Sequence, residues 1–190
     1  MERFPSSNTE TKISQIENSG EMAPQFLGVT KDEKQVYKNP GSHFHPEDGL
    51  TYDILKSALP VIETEEKTRV EAQVDFDKPI GTDKCIEVGP EDDVIMVYRK
   101  ERFGMTPMIK NRQPKVSNRL QVVLKKSRED DGKYILATSF IGEKAPREPW
   151  DNTIETEEEK KESEDFWNTH ALIYDEDLVD WDRTDPALRS

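Results

Sequence analysis

Two apolar runs separated by a short charged turn, RLQVVLKK from Arg119 and YILATSFIG from Tyr134, constrain the fold of this chain more than any other feature. Both are rich in β-branched and large apolar residues and bounded by charge, the composition of a half-buried or buried strand. The connecting SREDDGK brings Asp130, Asp131 and Gly132, residues that tolerate the positive φ angles a hairpin turn demands. The pattern therefore predicts an antiparallel hairpin, and a hairpin needs further strands or a helix to bury its apolar face.

Upstream segments supply them. VEAQVDF carries Val70, Ala72, Val74 and Phe76 at a spacing of two, KCIEV follows, and DDVIMVYRK is an apolar run bounded by charge. These predict a central, curved antiparallel sheet of about four to six strands over residues 69–142, in an α+β fold. Pro107 and Pro114 mark the stretch between DDVIMVYRK and RLQVVLKK as an irregular connection. One helix is expected from Leu50, Ile54, Leu55, Ala58 and Leu59, capped by Asp48 or Thr51 and ended by Pro60. A second is expected in TEEEKKESEDFWNTHALIY, whose leading carboxylates suit a helix N-terminus and whose Phe166, Trp167, Leu172 and Ile173 would dock on the sheet. Residues 1–40 lack apolar periodicity and read as a flexible or loosely docked arm. The α+β domain is expected over 41–174, and 175–190 as an acidic tail.

There is no apolar run long enough to span a bilayer and no secretory leader pattern, so the expected location is cytoplasmic, with no membrane partner. The lone Cys85 reads as a structural thiol. A net charge of -13 argues against a nucleic-acid partner when taken whole, but residues 94–147 hold 13 basic side chains against 5 acidic ones, between strongly acidic flanks. Charges act over a Debye length of about 8–10 Å, so the local balance decides which ligand approaches.

No phosphate-binding glycine loop, paired metal motif or nucleophile elbow is present, and no cofactor is expected. His43 and His45 stand at the i, i+2 spacing of a strand chelate but lack a third metal ligand. The run YRKERFGMTPMIKNRQPK interleaves Arg99, Lys100, Arg102, Lys110, Arg112 and Lys115 with Tyr98 and Phe103, and Arg119 follows. Guanidinium groups grip phosphate and aromatic rings stack on bases, so this mixture suits single-stranded RNA; it equally suits a solvated edge strand. Thr138 and Ser139 put hydroxyls on opposite faces of an apolar strand. His170, beside an aromatic cluster, is the best-placed group for proton transfer near neutral pH.

The succession of RLQVVLKK, an acidic turn, YILATSFIG, EPWD and FWNTHALIY resembles a set of uncharacterised bacterial and mobile-element proteins. Its strand pair also resembles that of small toxin-type ribonucleases of the barnase, EndoU, colicin and RelE-like class. The resemblance spans roughly Arg69 to Tyr174. It implies helices packed on a curved antiparallel sheet and metal-independent RNA cleavage with the 2′-hydroxyl as nucleophile. Thr138 matches the strand threonine of that class, Arg99 and Arg102 match basic positions on a preceding strand, and His170 or His45 would move the proton. Lys100, Lys110, Arg112, Lys115 and Arg119 would hold RNA. A second expectation, of another class, is a non-enzymatic acidic protein that acts as a partner or inhibitor of a basic nucleic-acid-binding protein, or pairs with an antitoxin. The carboxylates at 155–165 and 175–185 motivate it.

Overall fold

The computed structural model describes residues 24–190, which form a mixed α+β protein of twelve strands and two short α-helices, with 3-10 turns between them. The chain divides into two units. The first comprises the described part of 1–45, with 51–74 and 122–140; the second comprises 46–50, 75–121 and 141–190.

The first unit carries a six-stranded sheet in the order β1 (Gln25–Val29), β2 (Gln35–Lys38), β11 (Lys133–Ile141), β10 (Arg119–Lys126) and β4 (Arg69–Asp75), with β3 (His43–Phe44) also paired to β11. The predicted hairpin is β10–β11, and its Gly132 has φ +76. Tyr134 and Leu136 of β11 and Val122 and Leu124 of β10 have no solvent exposure. Helix α1 (Tyr52–Ala58) starts where Thr51 accepts the Ile54 N–H at 3.3 Å, and it buries Leu55 and Ala58. Pro60 then leads into a 3-10 turn over Leu59–Val61.

Two expectations about this sheet are corrected. It is not confined to residues 69–142, and it is mixed: β11 runs parallel to both β2 and β3. The part of the expected arm that is described, residues 24–40, contains β1 and β2. Residues 1–23 lie outside the described residues, and Leu27 and Val36 of β1 and β2 are buried core. Alternation over only four or five residues, diluted by Gln, Gly and Lys, left these strands without a visible period.

The second unit carries a four-stranded sheet in the order β6 (Cys85–Glu87), β12 (His170–Ile173), β8 (Met105–Ile109), β7 (Val94–Tyr98), and a two-stranded ribbon of β5 (Gly81–Asp83) and β9 (Lys115–Ser117). One face of the larger sheet buries Ile86, Ile109, Ala171 and Ile173. Ile95, Val97 and Met108 form another buried cluster with Val179, flanked by Trp181 and Leu188.

Three further corrections belong to this unit. The supposed irregular connection contains β8 and β9. Pro107 fits inside β8 because Lys110 donates its N–H to Asp93 on the β7 side, so by alternation the N–H that Pro107 lacks would face away from β7. There β12 pairs with β8 only at Met108 and Ile109. Secondly, the C-terminal helix α2 (Glu157–Trp167) stops before His170, and HALI continues as β12 with alternating burial. Phe166 and Trp167 are half-buried, Trp167 donating its indole N–H to the Pro146 carbonyl at 3.1 Å. Thirdly, residues 175–190 are integral. Asp180 donates its N–H to Tyr98 O at 2.8 Å, Thr184 Oγ1 accepts the Tyr98 N–H at 3.0 Å, and Val179 is fully buried. Val179, with Trp181 and Leu188 packed partly buried beside it, supplies the burial that the acidic composition conceals.

No helix among the described residues is long and apolar enough to cross a membrane.

Candidate functional site

The second unit contains a polar cavity of about 220 Å³, lined by residues from β5, β6, β9, the start of β10, the start of β12 and the segment after β11. Its walls follow from strand register. Antiparallel pairing of β12 with β6 sets His170 directly opposite Glu87, and pairing of β5 with β9 sets Asp83 opposite Lys115. Directly opposed residues share a sheet face, with β-carbons about 4.5–5.5 Å apart. Ser117, Asn118 and Arg119 continue the wall, and Glu143 closes it.

The inner wall is built on a buried carboxylate. Asp83, 7 % exposed, accepts the N–H groups of Cys85 and Glu143 at 2.9 Å each. Burial pushes its carboxyl above the ordinary range, the two N–H bonds oppose that, and Glu143 and Asp48 add repulsion. Gly142, at φ +114, permits this packing: a β-carbon there would run into the Asp83 carboxylate. Gln121 fastens the same turn by donating to the Gly142 carbonyl at 3.1 Å. The Cys85 thiol is pushed up to about 12 by burial and by Asp83, Glu143 and Glu148, with Arg99 pulling the other way. A thiol held protonated in this way is not a nucleophile at neutral pH.

His170 is held by a ring stack and by contacts at Nδ1. Its ring stacks on Phe166 at 3.9 Å between centroids and 6° between planes. Nδ1 lies 2.9 Å from both the Phe166 carbonyl and the Thr169 hydroxyl, so that edge of the ring is taken up by the end of α2. Arg119 reaches Asp75 through Nε at 3.0 Å and Glu143 through Nη1 at 3.7 Å, while Lys115 is exposed and in no ion pair among the described residues.

Three of the residues singled out from the sequence thus share one cavity: Lys115, Arg119 and His170. The others stand elsewhere. Arg99 donates from Nη2 to the buried Glu148 at 2.8 Å and from Nε to Thr106 at 3.1 Å, so its guanidinium already has a carboxylate. Lys100 and Arg102 are exposed on the turn between β7 and β8. Lys110 donates to the carbonyls of Leu188 and Ser190 at 2.7 Å each, and Arg112 pairs with Asp92 at 3.3 Å. Thr138 and His45 lie in the first unit, where Thr138 is paired with His43 of β3 and His45 meets Phe140 edge to face at 6.5 Å. Ser139, the neighbouring hydroxyl, is buried.

Sequence reasoning missed Glu87, Asp83 and Glu143. Glu87 gains meaning only from the β6–β12 register, which joins segments more than eighty residues apart. Gly142 at the end of YILATSFIG was the one local signal that the chain packs tightly there. EPWD is likewise explained: Glu148 holds Arg99, and the Trp150 ring covers Gly104 while its N–H donates to Met105 O at 2.9 Å. Among the described residues no group of three or more His, Cys, Asp or Glu side chains is placed to hold a metal ion.

No protein-family model matches the chain, and no curated protein matches it in sequence. Among solved structures, a conserved hypothetical protein from Toxoplasma gondii ME49 is similar over 73 % of this chain and 95 % of its own, at 11 % identity and a TM-score of 0.48.

Proposed function

We propose that the chain is a metal-independent ribonuclease-like protein, related to the toxin class and built on a RelE/barnase-like arrangement of sheet and helices, with the second unit's cavity as its RNA-cleaving site. The observation that supports it is the gathering of His170, Lys115 and Arg119 with the carboxylate of Glu87 in one polar cavity. In this reading Glu87 takes the proton of the ribose 2′-hydroxyl and the 2′-oxygen attacks phosphorus. The bond from phosphorus to the 5′-oxygen breaks, and His170 delivers a proton from Nε2 to that leaving oxygen. The products are a 2′,3′-cyclic phosphate and a 5′-hydroxyl, so atoms and charges balance without a further reactant. Lys115 carries the charge that develops on the phosphorane, and Arg119, which bridges Asp75 and Glu143, borders the phosphate on the cavity wall. Thr138, Arg99 and His45 have no role in this mechanism.

The test is incubation of the purified full chain with single-stranded RNA in EDTA. Cleavage that survives the chelator and falls by about 10²-fold or more in Lys115→Ala/Arg119→Ala supports the reading. An intact RNA pool at micromolar protein counts against it.

A second reading is favoured by α2, on which every residue from Glu157 to Asp165 except Ser163 is exposed and six are carboxylates. In that reading the helix presents a negative face to a basic nucleic-acid-binding partner or an antitoxin. Charge reversal at Glu158 and Glu162 would then abolish capture of a basic partner at low salt.

A further inference from the structure

Phe103 is 82 % exposed, although it sits on a turn that is otherwise firmly held. Turn positions are normally filled by Gly, Asn, Asp, Ser or Pro, and an aromatic ring left in water forfeits the burial that makes it worth carrying. The turn is fixed from several sides. Arg102 donates its N–H to Arg99 O at 3.2 Å, Glu101 adopts φ +61, and the Arg99 guanidinium is held by Glu148 and Thr106. Gly104 lies under the Trp150 ring, which no residue with a β-carbon could do. Phe103 is therefore presented to solvent on an ordered support.

Its neighbours define the chemistry of what it would meet. Lys100 and Arg102 are exposed on the same turn and in no ion pair among the described residues; Asp151 only feels the field of Arg102. An exposed ring beside two cations matches a base stacked on an aromatic platform with its phosphates on flanking Lys and Arg. The position is also informative. β12 and β8 are adjacent and parallel, with Leu172 beside Met108, so two residues back His170 stands level with Thr106. The turn bearing Phe103 precedes β8, at the same end of the sheet as His170, and adjacent strands are about 4.8 Å apart.

We propose that Phe103 is a base-stacking platform for single-stranded nucleic acid, receiving an unpaired base flanking the phosphate held in the cavity, with Lys100 and Arg102 as its phosphate contacts. The link to the scissile phosphate rests on the RNA-cleaving reading; the stacking site itself does not. The ligand is single-stranded, because a base buried in a duplex offers no free face for the ring.

The experiment measures binding of a fluorescein-labelled oligodeoxyadenylate, which lacks the 2′-hydroxyl and so cannot be cleaved by the proposed route. It uses the full chain and Phe103→Ala, Phe103→Leu and Phe103→Trp. Phe103→Ala and Phe103→Leu should weaken binding about 5- to 100-fold and Phe103→Trp should restore it, because the π face rather than apolar bulk is needed. On RNA, Phe103→Ala should raise KM more than it lowers kcat. Far-UV circular dichroism should be unchanged in all three. Equal affinity for all four proteins overturns the platform, as does a Phe103→Leu variant that binds like the parent. A Phe103→Ala effect confined to self-association, read by sedimentation, also overturns it, because the patch would then belong to a second copy. Phe103-dependent binding in a protein that cleaves no RNA upholds the platform and removes the catalytic reading. Cleavage and oligodeoxyadenylate binding that are both indifferent to Phe103 remove the platform and leave the catalytic reading standing.

Discussion

Asp32 shows how far a single carboxylate can be committed to structure. Burial works to raise its pKa, but hydrogen bonds from Thr64 and Thr30 outweigh that and hold it far below the usual carboxylate range. Thr64 donates its N–H at 3.1 Å and its hydroxyl at 2.5 Å, and Thr30 donates its hydroxyl at 2.8 Å. A group whose folded pKa is depressed contributes stability above its unfolded pKa, about 3.9, and loses it as pH falls through the folded pKa. Asp32→Asn should therefore lower the urea midpoint at pH 7 and flatten the acid side of the stability curve. A variant whose stability between pH 2 and pH 5 tracks the parent would contradict this. Cys85 gives a second residue-scale expectation. A thiol pushed up to about 12 should resist a thiol-specific reagent at pH 8 until denaturant is added. Fast labelling of the native protein would contradict its placement. The structural reading of this cysteine was legible from its strand context, whereas Arg99 was not. Its charge partner Glu148 lies 49 residues along the chain, and no local pattern announces a pair at that distance.

At the scale of elements, legibility followed the strength of the local period. Helix α1 was readable because Thr51, Leu55, Ala58 and Pro60 each gave a separate signal, and β10–β11 because two long apolar runs flanked a turn with Gly132. β12 was read as helix because Phe166, Trp167, Leu172 and Ile173 fit a helical spacing as well as they fit the end of a helix followed by a strand. The boundary at Asn168 is decided by pairing of HALI with β6 and β8, which is tertiary information. β8 was hidden by Pro107, tolerated only because of where its missing N–H points. The β7–β8 hairpin supplies the element-scale test. Gly104→Ala should destabilise the protein by about 1–3 kcal/mol through overpacking against Trp150. The double variant Gly104→Ala/Trp150→Ala should lose less than the sum of the two single changes. Additive losses in urea unfolding would show that the ring does not cover this glycine.

For the whole molecule, the sequence correctly indicated α+β architecture but overstated the basic middle as an open cationic surface. Among the cations expected to meet RNA, Arg99, Arg112 and Arg119 pair with carboxylates and Lys110 with the Leu188 and Ser190 carbonyls, which leaves Lys100, Arg102 and Lys115 exposed and in no ion pair among the described residues. A small set of phosphate contacts on a chain of net charge -13 predicts weak RNA binding with a shallow salt dependence rather than tight capture. The site was half legible. His170, Lys115 and Arg119 were visible as residue types in a basic, aromatic neighbourhood, but their convergence with Glu87 depends on pairings between distant strands. The proposed RNA cleavage at this convergence is tested by a single-turnover assay of parent and His170→Ala on a defined single-stranded RNA in EDTA, with product ends identified by mass spectrometry. The parent should leave 2′,3′-cyclic phosphate and 5′-hydroxyl ends, and His170→Ala should react about 10²- to 10⁴-fold more slowly. Equal rates for the two proteins, or 3′-hydroxyl ends from the parent, would contradict it.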